Sequence, residues 1–206
     1  MKTRMNLSVV AILGLALAAT AAGQTPGGRP GGRGPRGPQA PPLQMTVTGF
    51  ADGATIPTEF TCSAGPQAVS PAVHWSHVPA GTKSFVLLLH DPEPHPGKHL
   101  EDITHWLIWN VPGTAAGLPQ GVPAGATLPD GAHQLNQRNQ PAFMGPCAPP
   151  GPQHHYTWQL FALDTTLDLP ADASRAAVMQ ATDGHILGAA EWIGRYARPA
   201  AAPPAR

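Results

Sequence analysis

Leu87-Leu88-Leu89-His90-Asp91-Pro92-Glu93-Pro94 is an apolar run that ends on an acidic residue set between a histidine and a proline. Traced back to Ser84, the run is continuous through His90, the pattern of a central strand buried on both faces. A second run, Trp106 to Val111, follows Thr104-His105 and leads into Pro112. A third stretch, Gly145-Pro146-Cys147-Ala148-Pro149-Pro150, precedes His154-His155-Tyr156-Thr157-Trp158, where an aromatic-rich strand runs from Tyr156 to Leu163. Strand ends join a fixed backbone to solvent, so a ligand-capable side chain there is positioned by the fold. If the three stretches meet, one carboxylate, at least two imidazoles and a Gly-Pro turn converge.

The flanking sequence supports a mainly β chain. Leu43 to Thr48 alternates apolar and polar, as a half-buried strand does. Ala51-Asp52-Gly53-Ala54 signals a turn, and Val73-His74-Trp75-Ser76 reads as a short strand. Gly113 to Met144 is rich in Gly, Pro and Gln and reads mostly as loop. Short strands between Pro/Gly turns predict a β-sandwich. Helix signals come late: Ser174 to Thr182 has good helix formers, with Asp172 and Ser174 as candidate caps and Gly184 as the stop. Ala189 to Tyr196 also reads as helix by periodicity alone.

Twelve Lys and Arg balance twelve Asp and Glu in 206 residues. That balance excludes the clustered basic excess of a nucleic-acid footprint. The length suits one domain with extensions. Met1 to Gly23 has the form of a signal peptide: Lys2 and Arg4, an apolar stretch from Val9 to Ala18, then the small residues Ala19, Ala21 and Ala22. The apolar stretch is too short to span a bilayer comfortably, and no cysteine stands at the cleavage point for a lipid anchor. The expectation is an exported protein, periplasmic or extracellular, with no transmembrane segment in the mature chain. Residues 24–42 are Gly, Pro and Arg with little to bury, which predicts a disordered linker. The folded domain is then 43–198, with a disordered tail at 199–206. In an exported chain the two cysteines, Cys62 and Cys147, suggest a disulfide, two separate buried thiols being the alternative.

Four ordered blocks carry a family resemblance. Ser70-Pro71 leads to Trp75, Val78-Pro79 and Gly81-Thr82-Lys83-Ser84. Asp91-Pro92-Glu93-Pro94, His105 to Pro112, and Gly145 to Pro150 with His154 to Tyr156 follow. Over about Leu43 to Arg198 the chain resembles the phosphatidylethanolamine-binding protein family, the Raf kinase inhibitor-like proteins, in its bacterial exported branch. Together the blocks are specific where each alone is weak.

The resemblance implies a Greek-key β-sandwich with a few short peripheral helices, a closing strand in place of a helix over 189–196, and a cis Asp91–Pro92 bond. It also implies a pocket for a small anion such as a phosphate or phosphoethanolamine group. Asp91, His105, Gly145, Pro146, His154 and Tyr156 would form that pocket. Imidazole and backbone N–H groups would donate to the phosphate, Tyr156 would add its hydroxyl, and Asp91 would fix the histidine tautomers or accept an ammonium. Bland roles exist for each: a turn-capping carboxylate at Asp91, satisfied core histidines at His105 and His154. No catalytic residue, cofactor or resident metal is expected. Glu93 stands where relatives carry a second Asp. Asn139 to Phe143 reads as a shortened rim ahead of the Gly-Pro turn, and His95 to His99 reads as a basic insertion. Two other function classes remain. His90, Asp91, His95, His99 and His105 are metal-ligand types, without the spacing of a known zinc motif. A hydrolase is disfavoured, since no Gly-x-Ser-x-Gly elbow is present.

Overall fold

The computed structural model describes residues 41–201 apart from Pro96, Gly97, His99 and Glu101. The leader at 1–23, nearly all of the linker at 24–42 and the end of the tail lie outside the described residues.

The run from Ser84 is strand β3 once the elements are counted. Strands β1 (Gln44–Val47) and β2 (Val73–Ser76) precede β3 (Ser84–Asp91). Then come β4 (Ile103–Pro112), β5 (Gly117–Leu118), β6 (His133–Leu135), β7 (His154–Leu163), helix α1 (Arg175–Thr182) and β8 (Ile186–Tyr196). Two sheets form, β1-β2-β5 and β6-β4-β3-β7-β8, with antiparallel pairing throughout.

β3 is central in the larger sheet, and its side chains divide between two cores. Phe85, Leu87 and Leu89 join Trp106, Ile108, Trp158 and Leu160 in the core shared with Met45, Val47, Val73 and Trp75 of the small sheet. Val86 and Leu88 pack on the opposite face with Leu107, Trp109 and Val178 of α1. That double burial is why the strand reads as unbroken apolar sequence instead of alternating.

The late elements separate two periodicities. Ser174 caps α1 by accepting the amide of Ala177, and Gly184 follows the helix at φ 82°. Over 189–196 the helical periodicity fails: these residues belong to β8, paired along its length with β7. Alternating half-burial on an edge strand mimics a helical stripe over so short a span. Gly113 to Met144 is mostly irregular but holds the short strands β5 and β6.

One expectation is overturned. There is no cis peptide bond among the described residues, so Asp91–Pro92 is trans. β3 runs extended through Asp91, and the Asp91 Oδ1 accepts the Glu93 amide at 3.1 Å. This side-chain turn reverses the chain after the strand and leaves the other oxygen free to reach inward.

Candidate functional site

β4, β3 and β7 are neighbours and antiparallel, so the C-terminal end of β3 lies beside the N-terminal ends of β4 and β7. This topology brings Asp91, His105 and His154 to one end of one sheet, though 63 residues separate the first from the last. His105 needs one further device. Leu89 faces Trp106 and His90 faces Thr104, so His105 is the extra residue of a β-bulge. A bulge sets two successive residues opposite one and re-aims a side chain. Here it lets His105 share the face of Leu89 and Asp91, while Thr104 stays on the other.

From β6 the chain crosses the ends of β4 and β3 to enter β7, and Gly145 lies on that crossing. A Cβ at Gly145 would stand 2.8 Å from the Thr61 carbonyl carbon and 2.9 Å from the Cys62 nitrogen. Only glycine permits that approach. The Cys62 amide donates to the Pro146 carbonyl at 3.0 Å, and Cys62 and Cys147 form a disulfide with Cα atoms 5.3 Å apart.

A cavity of about 540 Å³ opens here, lined by Asp91, His105, Gly145, His154, Tyr156 and Arg138 among others. Pro146 is buried behind it and does not line it. Asp91 is 3% exposed and its Oδ2 accepts the His154 Nδ1–H at 2.8 Å. Glu93 is fixed by His155, which donates its backbone amide at 3.0 Å and its Nδ1–H at 2.8 Å. Asp91, Glu93 and His154 each offer an atom within 4.8 Å of the others, the only such trio among the described residues that could hold a metal ion. Both carboxylates and the His154 Nδ1 already have hydrogen-bond partners inside the protein.

His105 is 4% exposed, packs edge-on to Tyr156 at 5.0 Å, and donates its Nδ1–H to the Met144 carbonyl at 2.9 Å. A carbonyl only accepts, so Nδ1 carries the proton and Nε2 presents a lone pair. Burial pushes the His105 pKa down; the Met144 and Gly145 carbonyls and the Asp91 charge oppose this without offsetting it. Tyr156 is fully buried, and its hydroxyl accepts the amides of Cys147 at 3.0 Å and Ala148 at 2.8 Å. Burial, then the charge of Asp91, push its phenol well above the usual range. Tyr156 therefore shapes the turn, and it occupies two of the backbone donors around Gly145 that the family resemblance offers to an anion. The Gly145 amide keeps no partner among the described residues.

Among the described residues the histidine-rich set does not assemble. His90 alternates to the opposite face, where its Nδ1–H donates to Asp102 Oδ2 at 2.5 Å. Arg175 also pairs with Asp102 and donates to the Thr104 hydroxyl at 3.1 Å, beside a second cavity of about 390 Å³. Burial pushes the Asp102 carboxyl up, but Arg175 and His90 outweigh it and hold it below the usual range. His95 is exposed, and His99 lies outside the described residues. Arg138, Phe143 and the disulfide are cavity walls that the motif reading did not include. Nothing in the local pattern marks Arg138; its place follows from the crossing alone.

Comparison with known proteins places the same fold in a known family. The family model described as phosphatidylethanolamine-binding protein matches residues 46–197. A UPF0098 protein of Methanothermobacter thermautotrophicus is 40% identical over 157 residues, covering 76% of this chain and 99% of its own. A Mycobacterium tuberculosis protein that bears a lipoprotein name, LppC, is 33% identical, covering 77% of this chain and 74% of its own. The crystal structure of a Chlamydia trachomatis protein, described as a homolog of the phosphatidylethanolamine-binding protein, superposes with a TM-score of 0.67 at 29% identity. It covers 77% of this chain and 99% of that one.

Proposed function

This chain belongs to the phosphatidylethanolamine-binding protein family, and on that premise we propose that the cavity at the end of β3 binds a small phosphate-bearing ligand as a binding module of an exported protein. The observation that carries this reading is the convergence of buried Asp91 and His105 with His154 in one cavity, from three separate stretches. A packed core has no use for such groups, whose burial costs free energy unless they are partnered.

Arg138 and the Gly145 amide are the donors that would face the phosphate, with the imidazoles of His105 and His154 beside them. The Asp91–Glu93 side would face an ammonium. Export is supported by the leader-like start, by the disulfide and by the lipoprotein name of the mycobacterial relative.

Calorimetric titration with phosphoethanolamine tests the reading. The wild type should bind, His105→Ala and His154→Ala should each weaken binding by about tenfold or more, and Asp91→Asn should weaken it by releasing the His154 tautomer. Equal affinities across all four proteins would place the ligand elsewhere.

A further inference from the structure

We propose that this cavity selects phosphate monoesters over phosphate diesters, with Arg138 as the residue that determines the selection. The inference rests on the reading of the cavity as a phosphate site and names the class of phosphate it takes.

The donors of the cavity are scarcer than its histidines suggest. His105 spends Nδ1–H on Met144, and His154 spends Nδ1–H on Asp91. Each ring therefore keeps an accepting Nε2 in its neutral form. The amides of Cys147 and Ala148 are taken by the Tyr156 hydroxyl. Asp91 and Glu93 add negative charge. A diester, ionised once and with no second ionisable oxygen, meets an acceptor at His105 and carboxylates nearby, and has no proton to offer either.

A monoester differs in two ways. Its second ionisation lies near pH 6, so a phosphoryl oxygen can carry or share a proton. That oxygen can donate a hydrogen bond to the His105 Nε2 lone pair. Its larger negative charge also gains more from a fixed cation. Arg138 is the only Lys or Arg among the described residues lining the cavity, and no ion pair engages it among them.

Its position is built. Buried Asn136 accepts the Arg138 amide at 2.9 Å and the Gln140 amide at 3.3 Å through one oxygen. Its Nδ2 donates to the Ala142 carbonyl at 3.0 Å, and Asn139 turns the chain at φ 53°. The guanidinium is thus carried on a hydrogen-bonded turn at the cavity rim and not on a long free loop.

The probes are phosphoethanolamine, a monoester, and glycerophosphoethanolamine, a diester with the same ammonium, so that any ammonium contact cancels between them. Calorimetry on the full folded protein should give at least about tenfold tighter binding of the monoester, the size of one charge-assisted hydrogen bond. In Arg138→Gln, an exposed change that leaves the Asn136 turn in place, that ratio should fall severalfold. Equal affinity of the wild type for both probes overturns the monoester assignment. An unchanged ratio in Arg138→Gln overturns the role of Arg138. Failure of the wild type to bind either probe overturns the reading of the cavity as a phosphate site, an outcome separate from the other two.

Discussion

Replacing both Cys62 and Cys147 with alanine should cost close to the full cross-link free energy and little else. The bridge joins positions 85 residues apart. For a loop of that length the chain-entropy relation predicts about 4.6 kcal/mol at 25 °C. Side-chain packing adds little, because Cys147 is exposed and Cys62 half-buried. Other ties persist in the variant: the Cys62 amide on Pro146, the Tyr156 hydroxyl under residues 147 and 148, and the Arg198 amide on Ala148 at 3.0 Å. The turn should therefore keep its place, and the loss should reside in the unfolded chain. Paired guanidinium denaturation curves of the oxidised wild type and the double variant are the assay. The midpoint should drop by the equivalent of about 3 to 4.6 kcal/mol, and the melting temperature by roughly 10 °C or more for a domain of this size. A loss below about 1 kcal/mol would refute the reasoning, since the loop closed is long and the turn is held independently.

Three further outcomes follow from particular contacts. Gly145→Ala should destabilise by about 1–3 kcal/mol and weaken phosphoethanolamine binding, because the added Cβ meets backbone at Thr61 and Cys62; wild-type stability in denaturant titration would contradict this. Asp102 has its folded pKa held below 3.8, so it contributes stability that is present above that value and lost as pH falls through the folded one. The melting-temperature gap between wild type and Asp102→Asn should thus be steady above about pH 4 and close in stronger acid; parallel curves would count against the Arg175–Asp102–His90 cluster. His105 has its folded pKa lowered from 6.5, so the unfolded chain binds the extra proton first and stability falls as pH drops below about 6.5. His105→Gln should flatten that stretch of the stability profile, and an unaltered slope would assign it to other groups.

Much of the fold was legible because its strongest signals are local. The unbroken run of β3 announces a strand buried on both faces, and Ser174 with Gly184 brackets α1. The motif blocks name Asp91, His105, Gly145, His154 and Tyr156, and the cysteine pair in a chain with an export-like start names its own bridge. Where local pattern is ambiguous it misled: 189–196 satisfies a helical period and an edge-strand alternation alike, and pairing with β7 decided between them. The cis bond after Asp91 was implied by the family resemblance and not by local pattern; the bond is trans, and Asp91 Oδ1 accepts the Glu93 amide.

Sequence alone determined which chemical groups are available, because residue type and periodicity are properties of short windows. Tertiary structure decided what those groups can do. The bulge turns His105 toward Asp91 while alternation sends the adjacent His90 to Asp102. The Met144 carbonyl chooses the His105 tautomer, and the Tyr156 hydroxyl takes the Cys147 and Ala148 amides. The crossing from β6 to β7 brings Arg138 to the rim. The physical reason is that hydrogen-bond partners and cavity walls are set by distance in space, and antiparallel pairing brings together residues that the chain keeps tens of positions apart.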